Sequence, residues 1–298
     1  MKKSNWLKIT LLVIAAVLVV LVAIFLIKYF TGYEVYREVR YSDGVECVMD
    51  IYIPNRAYDR DKNGAVLFIH GGSWSGGDKS EETGRCRLLA SHGYITATVN
   101  YTLWSEENKD EYNVDLVLDE IDSALSTLQQ FAEELGVTVD KAATAGYSAG
   151  AHLAMLYAYS RADTAPLDIK FVASMAGPAD MSKEVWGDEL SLTITKLLTG
   201  ENVTRDMLYS GEADALIASI SPCAFIDGNS VPTLIIQGGR DNVVPPQNAE
   251  SVVNRLSTHS VRHDYVYMNR SSHALIENPI GRLRYYKMLI DYCKEYFA

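Results

Sequence analysis

Nearly continuous apolar runs at residues 65–69, 94–101, 141–145, 171–175, 232–238 and 262–268 alternate along this chain with longer segments whose apolar positions recur every three or four residues. The short runs predict strands buried on both faces, and the periodic segments at 114–135, 149–159, 247–257 and 281–297 predict helices. In the first of these helices Val114, Val117, Leu118, Ile121, Leu125 and Leu128 fall on one face, which marks them as core rather than as a cofactor box. Parallel strands need crossovers, and the interleaved helices supply them, so the alternation predicts an α/β fold with a mostly parallel central sheet flanked by helices. Ahead of it, residues 33–41 and 45–53, joined by Ser42-Asp43-Gly44, predict an antiparallel hairpin, because Asp-Gly between alternating segments is a strong turn signal. Between 178 and 222 the pattern turns irregular and polar, with one short helical stretch near 190–198.

A different pattern opens the chain. Residues 11–27 carry no charge and no strong breaker, and Ile9-Thr10 extend the run toward bilayer-spanning length. The run ends in Lys28-Tyr29-Phe30 with no small-residue cleavage site, which predicts an uncleaved transmembrane signal anchor rather than a removed signal peptide. Residues 1–32 thus read as tail, anchor and short linker, and 33–298 as one domain. Lys2, Lys3 and Lys8 before the span balance Lys28, Arg37 and Arg40 after it; the N-terminal amine and the short leading tail favour tail-inside, domain extracytoplasmic.

With 298 residues, 48% of them hydrophobic, the chain can build one large core, and its net charge of −11 argues against nucleic acid and polyanionic substrates. Cys47, Cys86, Cys223 and Cys293 form no C-x-x-C pair, so neither a zinc ribbon nor a redox motif is expected; buried thiols are the simplest reading, with disulfides open if the domain faces an oxidising space. Asn100, Asn202 and Asn269 head glycosylation-type triplets that read as chance matches. No cofactor or metal motif is present, and oligomeric state is open.

Chemistry concentrates where strands end. Gly146-Tyr147-Ser148-Ala149-Gly150 stands where the 141–145 strand meets an apolar helix, the context of a nucleophile elbow. Upstream, the 65–69 strand runs into His70-Gly71-Gly72-Ser73-Trp74, a glycine-rich turn suited to donating N–H groups to an oxyanion. Downstream, the 232–238 strand leads to Gly239-Arg240-Asp241, and the 262–268 strand to Ser271-Ser272-His273. On these residues the chain resembles α/β-hydrolase serine esterases of the carboxylesterase and feruloyl-esterase-like group, which share an HGG-x-W loop with kynurenine formamidases. Met49-Asp50-Ile51-Tyr52-Ile53-Pro54, Asn100-Tyr101 and the continuation to Ala151-His152 extend the likeness, which covers roughly 33–298. Ser73 departs from the third glycine many relatives carry, but only its N–H is needed.

The resemblance and the chain order Ser, Asp, His imply a triad of Ser148, Asp241 and His273, with Gly72, Ser73 and Ala149 as oxyanion donors and Trp74 and Tyr147 as pocket candidates. They also imply a small cap at about 178–222 and a small-molecule ester substrate, membrane contact coming only through the N-terminal helix. His70 is expected to order the oxyanion loop and His152 to be a core or supporting histidine, while His92, His259 and His263 lie in surface-like contexts. Asp227, Glu212 and Asp214 compete with Asp241, but none directly follows a buried apolar strand. Amide cleavage by a peptidase or formamidase, and a non-catalytic surface-binding role, are the alternatives on the same scaffold.

Overall fold

The computed structural model describes residues 2–44 and 46–298, with the side chains of 2–5, 7, 25 and 28 outside that description. In chain order the elements are α1 Lys2–Phe30, β1 Tyr33–Arg40, β2 Val48–Pro54, β3 Asn63–Ile69, α2 Thr83–Ser91, β4 Ile95–Val99, α3 Val114–Glu134, β5 Val139–Tyr147, α4 Ala149–Ser160 and β6 Asp168–Met175. There follow α5 Lys183–Thr199, α6 Arg205–Ser210, α7 Asp214–Ser219, β7 Thr233–Gly238, α8 Gln247–Thr258, β8 His263–Met268 and α9 Pro279–Tyr296. The strands form one sheet in the order β1-β2-β4-β3-β5-β6-β7-β8. It is antiparallel only at β1/β2 and β2/β4 and parallel from β4 to β8.

The opening hairpin forms, but its turn is wider than Asp-Gly alone implies. The amide of Cys47 donates to Gly44 O and that of Tyr41 to Cys47 O, so β2 starts at Val48, and Val45 lies outside the described residues. Strand β1 bulges between Tyr36 and Val39, with Glu38 at φ 56°. Buried Asp50 holds the bulge, accepting from Glu38 N (3.1 Å) and Arg37 (2.8 Å) and pairing with Lys79 Nζ (3.0 Å). The Met-Asp-Ile-Tyr motif thus has a structural task, since a buried carboxylate is tolerated only when paired and hydrogen-bonded.

Small residues along β5 let α4 lie directly on the sheet. Every residue of α4 from Ala149 to Ala158 is buried, and Thr144 Oγ1 donates to Ala154 O (2.9 Å). This is the all-round apolar helix of a core. The polar 178–222 stretch carries more helix than its sequence pattern shows, α5 to α7, with α5 broken at Gly187 (φ 72°, ψ 164°). All four cysteines are buried free thiols.

Counting only the described residues, no helix is long and apolar enough to cross a membrane. The expected span, 11–27, lies within the 29-residue α1 and contains Phe25, whose side chain is outside the described residues. Leu11, Leu12, Val19 and Ile27 on this helix are each more than half exposed.

Candidate active site

Parallel register assembles the site at the C-terminal edge of the sheet. Ile69 of β3 pairs with Gly146 of β5, which sets the 70–74 loop beside Ser148; Gly238 of β7 pairs with Met268 of β8, which sets the Asp241 and His273 loops side by side. Ligands of open α/β sheets bind at this edge. The two loops are further tied by Gly239 N to Met268 O and Arg240 N to Ser271 O, each 2.9 Å.

Ser148 takes φ 54° and ψ −123°, a strained conformation for a residue with a Cβ, and its N–H is fixed on Met175 O at 2.9 Å. Glycines make the turn possible by contact. A Cβ on Gly146 would stand 2.3 Å from Gly150 C, and one on Gly150 would stand 2.0 Å from Ile69 O, so helix, elbow and strand end meet backbone to backbone.

From Ser148 a hydrogen-bonded chain runs inward. Ser148 Oγ lies 3.0 Å from His273 Nε2, and His273 Nδ1 lies 2.7 Å from Asp241 Oδ2. Asp241 is buried and fully occupied: Oδ1 accepts from the amides of Val243 and Val244 (both 2.9 Å), and Oδ2 also accepts from Gln237 Nε2 (3.0 Å). Burial pushes its carboxyl up, but the hydrogen bonds from His273 and from the Val244 and Val243 amides outweigh that and hold it below the ordinary carboxylate value. An ionised Asp241 fixes the imidazole with Nδ1 protonated and leaves Nε2 free to take the serine proton.

Beside Ser148, Gly72, Ser73 and Trp74 all adopt positive φ (113°, 54° and 60°). Among the described residues the N–H groups of Gly72, Ser73 and Ala149 donate to no loop carbonyl or side chain. His70 orders this loop, donating from Nδ1 to Gly71 O (2.7 Å) and stacking on Tyr101 with ring centroids 4.5 Å apart.

A pocket of about 320 Å³ opens over Ser148, walled by Trp74, Trp186, Leu190, Ile194, Leu197 and Val243 among others. Trp74 is one of its lining residues, with its Nε1 donating to His152 Nδ1 (3.1 Å). His152 donates in turn from Nε2 to Ile220 O (2.8 Å), and burial lowers its pKa to about 4, so it is a neutral spacer with both nitrogens committed. Tyr147 is not in the pocket wall. Its hydroxyl donates to His273 O (3.1 Å) and its ring packs 5.1 Å from the imidazole, a brace for the histidine loop. Asp227 sits in a surface turn, accepting from Asn229 N (2.8 Å), and Glu212 and Asp214 are exposed at the start of α7. Among the described residues no group of three His, Cys, Asp or Glu side chains comes together as a metal site.

Sequence reading missed Trp186, Gln237 and the Val243-Val244 pair. The pair had a local signal, since an aspartate accepting from amides two and three residues on is an Asx-type turn. Trp186 had none, because it reaches the site only through the break at Gly187.

Residues 49–256 match the BD-FAE family model. Among curated relatives, the non-reducing polyketide synthase Preu6 of Preussia isomera is 22% identical over 292 residues, 79% of this chain and 13% of that protein. Esterase LipC of Mycobacterium tuberculosis is 24% identical over 234 residues, 74% of this chain and 54% of that protein. The chain therefore spans about half or less of the length of these relatives. Among solved structures, a truncated carbohydrate esterase from gut microbiota superposes with a TM-score of 0.73 at 19% identity, covering 89% of this chain and 96% of the other. That likeness establishes the α/β-hydrolase fold.

Proposed function

The chain belongs to the BD-FAE family, and from that footing we propose that it is a carboxylic ester hydrolase working through an acyl-enzyme. The observation that carries this reading is the unbroken path from a strained Ser148 through His273 to a buried, ionised Asp241, with unspent amides alongside. Ser148 Oγ attacks the ester carbonyl as His273 Nε2 takes its proton; the amides of Gly72, Ser73 and Ala149 receive the negative oxygen. The protonated His273 then gives its proton to the departing alkoxide, leaving an acyl group on Ser148. A water activated by the same imidazole releases the acid and restores the serine.

We propose small neutral esters as substrates. A pocket of about 320 Å³ is at the small end of ligand sites, and its walls are largely apolar. The 182–218 segment carries seven acidic residues against Lys183, Lys196 and Arg205, a border that repels anions. Across a series of p-nitrophenyl esters, kcat/KM is expected to peak at about two to four acyl carbons, each added methylene being worth only ~1–3 kcal/mol where it fits. A maximum at long chains with activation by lipid droplets overturns this.

The N-terminal segment is proposed as an uncleaved anchor, supported by its seventeen uncharged residues. Full-length protein is then expected to stay in membranes through alkaline carbonate extraction with its N-terminus unprocessed, and protease added to wall-free cells is expected to reach the domain. Protection until lysis would reverse the orientation.

A further inference from the structure

The foot of α1 holds a cluster of cations that ester hydrolysis does not use. Tyr29 Oη donates to Gly84 O on α2 (3.1 Å), and the Arg87 guanidinium stands 5.6 Å from the centre of the Phe30 ring, so α2 is docked on the last turn of α1. Two grooves of about 320 Å³ flank this contact. Arg85 and Arg282 line the first together with Tyr29, Leu88 and Tyr286, while Arg56 lines the second beside Thr31 and Gly32. Arg60 reaches the second groove's edge, donating to Gly93 O (2.8 Å). Five arginines thus ring one helix end in a chain of net charge −11.

The acidic groups facing them are Glu81, on the first groove's wall, and buried Glu82, which pairs with Arg85. Even so paired, Arg85 keeps a buried Nε with no acceptor among the described residues. Flanking Arg282 in the first turns of α9, Leu283 and Ile280 are 69% and 78% exposed and share one face of the helix.

We propose that this cluster binds the phosphate headgroup of an anionic phospholipid. The inference rests on the proposed anchor. With residues 11–27 in hydrocarbon, Tyr29 and Phe30 fall at the interface where aromatic rings partition, and the side chains touching them are held at headgroup depth. A guanidinium grips phosphate through two parallel N–H donors, a geometry that Arg282 on the groove wall can offer. Ile280 and Leu283 beside Arg282 reach toward the acyl boundary, as the apolar face of an interfacial helix does. Because α9 opens soon after the loop carrying His273, a headgroup bound here orients the C-terminal edge of the sheet relative to the bilayer.

The test uses the full-length chain in nanodiscs of phosphatidylcholine with or without phosphatidylglycerol, with retained lipids counted by native mass spectrometry in neutral detergent. The wild type is expected to retain phosphatidylglycerol in preference to phosphatidylcholine. Arg87→Gln with Arg282→Gln is expected to lower that preference about fivefold per arginine, the worth of one basic residue near an anionic surface. Arg282→Lys, which keeps charge without the fork, should fall between, and hydrolysis of a soluble ester should be unchanged in both variants. Equal retention of both lipids by the wild type, or undiminished preference in the double variant, overturns the site while leaving the anchor standing. A chain that does not enter nanodiscs overturns the anchor and the site together.

Discussion

Alanine at position 148 is expected to lower ester turnover by on the order of 10⁶ and to abolish covalent labelling by a fluorophosphonate, with the fold intact. The size of the effect follows from what the hydroxyl alone does. Removing it takes away the atom that bonds to the acyl group, whereas the free amides of the oxyanion loop and the pocket over the elbow persist. The strained backbone of Ser148 (φ 54°, ψ −123°) is held by Met175 O and by contacts at Gly146 and Gly150, none of which involves Oγ, so alanine inherits the same turn. Measurement of kcat/KM on a short-chain ester together with Tm separates the outcomes. Turnover near wild type in the folded variant would exclude Ser148 as nucleophile.

Asparagine at position 241 is expected to cost about 10⁴ in kcat with little change in KM, the loss that follows when an orienting carboxylate becomes an amide. The carboxylate accepts from two backbone amides, Gln237 and the imidazole Nδ1, leaving no place for the N–H₂ of an asparagine that also keeps His273 in the required tautomer. The same geometry sets a pH dependence of stability. Since the folded-state pKa of Asp241 lies below its unfolded value, its contribution is present above the unfolded value of about 3.9 and is lost as pH falls through the folded one. The Tm advantage of wild type over Asp241→Asn is therefore expected at neutral pH and should shrink below about pH 4. An equal or larger kcat loss from Asp227→Asn, with Asp241→Asn near normal, would move the acid to position 227.

What the sequence determined by itself is whatever depends on neighbours along the chain. The order of the eight sheet strands and of helices α3, α4, α8 and α9 followed from apolar period, which is fixed by backbone geometry within a few residues, whereas α2 and most of α5 to α7 did not. Ser148, Asp241 and His273 were legible because each stands just past a buried strand, and His70 because it sits in the glycine-rich turn it orders. The tertiary structure decided what depends on register and distance. Pairing of Ile69 with Gly146 and of Gly238 with Met268 converted three separate loops into one hydrogen-bonded chain. Tyr147, adjacent to the serine in sequence, alternates to the other side of its strand and braces His273, while Trp186, far away in sequence, swings into the pocket at the break in α5. Asp50 and Lys79, buried as a pair, were invisible to pattern because a charged residue in an otherwise alternating strand reads as solvent-facing until its partner arrives from another element. Period and turn chemistry are local energies; which side chains meet is settled only when the sheet closes and its long-range hydrogen bonds fix one register.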